Sequence, residues 1–197
     1  ITAFDTDALH AADGLPETDV SRTAEAHHGV AVELEDGSMF LTIGTEEART
    51  GAAVVAPDGT ETARNEQCPG VHGEGSAKDE VIVVGCQDGA LVYDGAFTKI
   101  ASPDAFGRIG NVAVTDSSPI AFADYRDDPD AEGYLLHRVA FIDTAAKTLD
   151  VVDLPAGVEY TFRGLARGPG DEAILLGTDG ALHVFDETTG ELTDSIP

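Results

Sequence analysis

Apolar and polar positions recur along the chain as one motif. ITAFDTDAL, AAVVAPDGT, ALVYDGAFT, RVAFIDTAA and ALHVFDETTG each run as an apolar, β-type strand into a polar turn rich in Asp, Gly and Thr. Aligning the turn-entry residues Asp5, Ala56, Asp94, Asp143 and Asp186 gives spacings of 51, 38, 49 and 43. These scatter about the roughly 40–50 residues of a four-stranded propeller blade. The sharpest internal match, Asp88-Gly-Ala-Leu with Asp179-Gly-Ala-Leu, lies 91 residues apart, two blade lengths. Ahead of each aligned strand comes a small-residue inner strand (HHGVAVEL, VHGEGSA, GNVAV, RGLARG) and then an apolar second strand (SMFLTIG, EVIVVGC, PIAFADY, EAILLG). A fourth strand such as LDVVDLP or ELTDSIP closes the unit.

The pattern predicts an all-β protein, a β-propeller of about four and a half four-stranded blades forming part of a larger ring. The blades are placed at 1–25 (a half blade), 26–66, 67–106, 107–156 and 157–197. A β-sandwich would also supply many strands, but it does not generate the Asp-Gly-Ala-Leu recurrence. No 3.6-residue apolar pattern persists, so long helices are not expected. The acidic stretch from Tyr125 to Gly133 reads as a solvated hairpin tip.

Composition narrows the function classes. Of 197 residues, 37 are Asp or Glu and 11 are Lys or Arg, a formal net charge of −26. Such a field repels polyanions and draws cations, which excludes nucleic-acid and anionic-membrane binders and suits a cationic partner or a metal ion. A hydrophobic fraction of 42% is enough for a folded core. No apolar stretch approaches the roughly 18 residues of a membrane span, so membrane insertion is not expected. The opening stretch has neither the basic start nor the apolar core of a signal peptide, and any targeting segment is expected to lie outside it.

Candidate chemistry centres on histidine. Aligning the inner strands puts His28, His72, Gly110 and Arg163 at one repeat-equivalent position, so His28 and His72 should project from adjacent blades toward the central channel. Converging neutral imidazoles suit Zn²⁺, which normally takes four ligands. His27 lies on the opposite side of an extended strand and would join only at a turn or bulge. Glu74, two residues past His72, is placed on the same side as His72, as a ligand or an outer-shell base. His137 and His183 read as structural or exposed, and His10 as a surface histidine.

Cys68 and Cys86 permit a disulfide in an oxidising compartment or a thiolate metal site in the cytosol. Their Cys-x17-Cys spacing lacks the close pairing of structural zinc sites and favours a bridge. Nucleophilic catalysis finds no motif: there is no G-x-S-x-G elbow and no Gly-rich phosphate loop before a helix.

The runs HHGVAVELEDG, CPGVHGEG, VIVVGCQDGALVYD, RIGNVAV and DGALHVFDETTGELTDSIP resemble the AztD-type periplasmic zinc metallochaperones over nearly the whole chain. The resemblance implies a secreted or periplasmic, non-enzymatic β-propeller, a monomer. It would hold Zn²⁺ and deliver it by direct docking to the solute-binding protein of a zinc ABC importer. It carries over His28 and His72 as ligands, His27 as a further candidate and Cys68–Cys86 as a bridge. Members of the family begin earlier, with further blades and a flexible loop rich in histidine and aspartate, so this chain reads as the C-terminal part of such a propeller. Two other classes compete: a propeller enzyme of the lactonase or quinoprotein type with a metal at the channel mouth, and an interaction scaffold without ligand.

Overall fold

In the computed structural model, residues 1–10, 13–130 and 135–197 are described. The described residues form no α-helix, only two short 3-10 turns, at Thr6–His10 and Lys78–Glu80. The chain opens with a two-stranded pair, β1 (Thr2–Ala3) and β2 (Asp19–Val20). Four antiparallel sheets follow in sequence order. The first is β3 (Ala31–Glu33), β4 (Met39–Gly44), β5 (Arg49–Val55) and β6 (Glu61–Asn65), and the second is β7 (His72–Ala77), β8 (Val81–Cys86), β9 (Gly89–Tyr93) and β10 (Phe97–Ala101). The third sheet joins β11 (Val112–Ala113) and β12 (Ile120–Tyr125) to β14 (Arg138–Asp143) and β15 (Thr148–Asp153), leaving out β13 (Leu135–Leu136). That short strand pairs instead with the fourth sheet, β16 (Tyr160–Arg167), β17 (Ala173–Gly177), β18 (Leu182–Phe185) and β19 (Leu192–Ile196).

With β13 set aside, each sheet is an up-and-down meander in which connections of two to six residues return a strand beside its predecessor, except for the longer 126–137 connection between β12 and β14. Three apolar clusters lie between consecutive sheets. Phe40, Ala52 and Val54 of the first meet Ile82, Val84 and Leu91 of the second. Val83, Ala90 and Val92, on the opposite face of the second sheet, meet Ala121, Ala123, Ala140 and Ile142 of the third. The other face of the third, with Phe122, Val139 and Phe141, packs on Ala173, Leu175 and Phe185 of the fourth. Central strands are thus buried on both faces. This explains why VIVVGC and IAFADY read as continuous apolar runs rather than alternating ones, since period-2 alternation survives only where one face meets water.

The sequence segment LLHRV reads as one strand, but the structure divides it. Leu136 is buried beside Tyr160 in the cluster between the third and fourth sheets, and Leu135–Leu136 pairs with Thr161 and Tyr160. Burial of Leu136 pulls this short segment onto the neighbouring sheet, leaving His137 exposed between β13 and β14. The acidic hairpin tip is described only as far as Asp130, and its remainder lies outside the described residues.

Two of the inner strands are short. β3 begins at Ala31 and β11 covers two residues, because the glycines at 29 and 110 lie just ahead of them and weaken strand pairing. His28 consequently sits on the loop entering its strand, while His72 is the first residue of its own.

Candidate metal centre at the inner-strand mouth

Cys68 and Cys86 are joined, with Cα atoms 4.9 Å apart across a separation of 18 residues. Both are fully buried. The bridge ties the loop preceding His72 to the end of β8, and main-chain bonds from Cys68 N to Thr50 O (3.0 Å) and from Gly70 N to Arg49 O (2.8 Å) dock that loop on β5.

His72 is therefore held by its own strand and by the bridged loop. Its Nδ1 donates to the carbonyl oxygen of Gly110 at 2.6 Å. In a neutral ring this leaves Nε2 as the lone-pair nitrogen, the tautomer selection that backbone carbonyls impose on metal-binding histidines. Gly73, next in sequence, has φ +65. A Cβ there would lie 2.5 Å from the same Gly110 oxygen, so the close approach of the two blades requires glycine at this point.

Gly110 is itself fixed from behind. The carboxylate of Asp124 accepts the amides of Gly110 (2.6 Å) and Asn111 (2.7 Å). Asp124 is 6% exposed. Burial pushes its pKa up, against the two amides, Arg108 and His72, which all favour the charged form. A buried carboxylate thus positions the carbonyl that orients His72. A lone acid inside the apolar run PIAFADY was the available sequence signal for it.

His28 stacks on His72 with ring centroids 5.1 Å apart and planes 11° from parallel. Two stacked rings do not aim their lone pairs at one point, so this arrangement is a neighbouring pair of donors rather than a closed chelate. His28 is exposed.

His27 is directed elsewhere. Its two ring nitrogens lie 3.0 Å from Glu25 O and 2.9 Å from Thr42 O, so neither is presented to a metal. Glu74 also departs from the strand-parity reading. His72 pairs with Gly85 and Glu74 with Val84, so Gly73 is an extra residue in the ladder. This bulge turns Glu74 to the face opposite His72, where its side chain is exposed.

Two carboxylates missed by the sequence reading border the pair instead. Glu46 and Glu47, at the tip of the β4–β5 turn, line a cavity of about 440 Å³ with His28, Arg49, His72 and Arg108. Among the described residues no three His, Cys, Asp or Glu side chains stand close enough to hold a metal as placed. The donors surround the cavity without converging, and Arg49 and Arg108 oppose a cation there.

The remaining histidines serve packing or face water. His183 is buried, with Nδ1 2.9 Å from Ser195 Oγ and Nε2 3.2 Å from the Asp179 carboxylate. His137 lies 3.7 Å from Asp127, and His10 is exposed in the first 3-10 turn. Of the four repeat-equivalent positions, 28, 72 and 110 touch in succession. Arg163 lies over Phe162, 4.9 Å from the ring centroid.

Four-stranded antiparallel meanders, packed face to face in chain order with their first strands gathered at one mouth, define a β-propeller. Among solved structures, the chain is similar to apo AztD from Citrobacter koseri, with TM-score 0.67 and 20% identity, covering 86% of this chain and 47% of that one. A second AztD structure from the same organism gives TM-score 0.64, again at 20% identity, over 86% and 45%. A catalytically inactive virginiamycin B lyase from Staphylococcus aureus, with quinupristin, gives 0.57 at 13% identity over 92% and 59%. The chain spans about half the length of the AztD structures it matches. At these identities the likeness is one of fold. No protein-family model and no curated protein matches the chain.

Proposed function

We propose that the protein binds Zn²⁺ as cargo and passes it, by docking, to the solute-binding protein of a zinc importer in an oxidising compartment. The observation that carries this reading is the meeting of His28 and His72 from consecutive inner-strand entries, with His72 Nδ1 committed to Gly110 O and its Nε2 available. Rotation of His28 would aim both nitrogens at one ion, and Glu46 or Glu47 would supply oxygen ligands from the facing turn, in the mixed N/O set that zinc accepts. Two protein ligands on exposed loops leave the ion open to displacement by a partner's ligands, as a carrier requires. The acidic surface would guide a cationic docking face, so transfer is faster at low salt. The buried disulfide agrees with a secreted setting. The AztD resemblance points the same way, whereas the likeness to a lyase shows that the fold alone does not separate carrier from enzyme.

The test is zinc binding by competition with a chromogenic chelator, followed by transfer to the solute-binding partner with a scavenging chelator present. Stoichiometric zinc that His28→Ala or His72→Ala weakens about tenfold or more supports the site. Unchanged affinity in the double variant overturns it. Transfer abolished by the scavenger overturns direct docking.

A further inference from the structure

We propose that Asp124 is the distal carboxylate of a relay to His72 carried by a single peptide group: the Gly110–Asn111 peptide receives the charge of Asp124 at its N–H and passes it on through its carbonyl, holding the proton of the imidazole on Nδ1 and strengthening Nε2 as an electron-pair donor. The consequence for zinc rests on the carrier reading above. The relay itself needs no metal.

Connectivity is the first argument. The amide of Asn111 and the carbonyl of Gly110 belong to the same planar, resonance-linked peptide unit. Asn111 N donates to Asp124 Oδ1 at 2.7 Å, and the Gly110 oxygen accepts from His72 Nδ1 at 2.6 Å. The two hydrogen bonds therefore stand in series. A negative charge at the N–H end pushes electron density onto the carbonyl oxygen, and hydrogen bonds linked in this way polarise one another, most strongly away from water. Metal-binding histidines place either a carboxylate or a backbone carbonyl on the second ring nitrogen; here a carboxylate stands behind the carbonyl. Gly110 N donates to the same Oδ1 at 2.6 Å, which fixes the carboxylate against the peptide.

The second argument is that the charge is kept where it works. Asp124 is 6% exposed, and burial opposes its ionisation, whereas the Asn111 and Gly110 amides, the Arg108 guanidinium and His72 all favour it. Asp124 favours the charged form of Arg108 in return. The carboxylate thus acts on the imidazole without touching it.

Comparison of the blades supplies the third. In the second-strand segments SMFLTIG, EVIVVGC, PIAFADY and EAILLG, the position of Asp124 is filled elsewhere by Ile43, Gly85 and Gly177. Blade packing therefore asks for no acid there, and burying one is costly unless it is compensated. The acid stands in the one strand that faces the carbonyl bonded to His72. Asp124 is accordingly a positioning residue that acts through the peptide by charge as well as by shape.

The experiment follows the His72 ring by ¹⁵N NMR in the whole, metal-free chain at about pH 8, where an ordinary imidazole is neutral, for wild type, Asp124→Asn and Asp124→Ala. Wild type should carry its ring proton on Nδ1, with scalar couplings across both hydrogen bonds, from Asn111 N to the Asp124 carboxyl carbon and from His72 Nδ1 to the Gly110 carbonyl carbon. Asparagine keeps an acceptor oxygen for the two amides but removes the charge. In Asp124→Asn the coupling from His72 to Gly110 should persist, while the Nδ1 proton moves upfield and the share of the Nε2-protonated tautomer grows. Chelator competition should show zinc bound about tenfold more weakly by Asp124→Asn, and at least as weakly by Asp124→Ala. If Asp124→Asn matches wild type in ring resonances and zinc affinity and only Asp124→Ala departs, Asp124 merely props the loop and the relay is overturned. A wild-type ring protonated on Nε2, or no coupling from Asn111 to the carboxylate, overturns it as well, and that measurement needs no variant to fold. A wild-type chain that binds no zinc overturns the carrier reading, while the comparison of ring resonances still decides the relay.

Discussion

Removing the Cys68–Cys86 bridge tests how the inner-strand mouth is held. The perturbation is Cys68→Ala with Cys86→Ala, because neither sulfur is accessible to reductant in the folded chain. The bridge closes a loop across a separation of 18 residues. Loop-closure entropy for that length gives about 3 kcal/mol, lost from the folded state when the denatured chain is released. For a chain of this size, 3 kcal/mol corresponds to a fall in melting temperature of about 6–12 °C. It is a substantial part of the roughly 5–15 kcal/mol that keeps a domain folded, without being all of it. The variant should therefore fold. The bonds from Cys68 N and Gly70 N to β5 survive the substitution, so the loop stays docked and His72 keeps its Gly110 contact. The assay is urea unfolding of oxidised wild type and double variant, with thiol titration of the unfolded, unreduced wild type finding no free thiol. A stability change below about 1 kcal/mol would refute the loop-entropy reasoning, and a variant that loses the His72 contact by NMR would refute the claim that the main-chain bonds hold the loop.

Further outcomes follow from single contacts. Gly85→Ala places a Cβ 2.3 Å from the carbonyl oxygen of Ile109; the backbone must move, and thermal melts should show a loss of about 1–3 kcal/mol. Glu187→Ala strands the Arg167 guanidinium, whose side chain is 4% exposed and otherwise bonded to the main-chain oxygens of Ile120 and Asp171. Chemical denaturation should show a cost of about 3 kcal/mol, and a change within 0.5 kcal/mol, the scale of a neutral surface substitution, would mean that this pair within the fourth sheet adds nothing to stability. Asp171 is held below the ordinary carboxylate range by hydrogen bonds from Ser117 and Thr115. A depressed folded-state pKa gives stability that is present above the ordinary value and lost as pH falls through the folded one. Acid titration of stability should thus flatten in Asp171→Asn, which tolerates the local φ of +66, and an identical acid limb in wild type and variant would count against this clamp.

The propeller was legible because its cause is local and repeated. Strands such as ALVYDGAFT and ALHVFDETTG carry their own turns, and a chain of such units can bury its apolar strands only by packing sheet on sheet. The cysteine pair was legible for a similar reason, since two thiols flanking one strand pair have few other partners. Strand parity was a weaker guide wherever the ladder is irregular. The extra residue at Gly73 reverses the side on which Glu74 emerges, and no local sequence rule announces a bulge whose glycine is demanded by the carbonyl of another blade. Nor does parity place His27, whose two nitrogens are taken by carbonyls of its own loop and of β4.

The repeat alignment put His28 and His72 at equivalent positions, and equivalence is a property of sequence. Their actual relation, stacked rings with one nitrogen committed to Gly110, belongs to the tertiary structure, because it depends on how far one blade turns against the next. The same holds for Asp124, for Glu46 and Glu47 across the cavity, and for the meeting of Arg49, Arg108 and Arg126. Glu46, Glu47 and Arg49 come from the 26–66 segment and Arg108, Asp124 and Arg126 from the 107–156 segment, far apart in sequence and without a shared spacing. The sequence by itself determined the strands, their order and the net field, since these arise from neighbours along the chain; tertiary structure alone decided which charges face one another, because that depends on contacts between segments far apart in sequence.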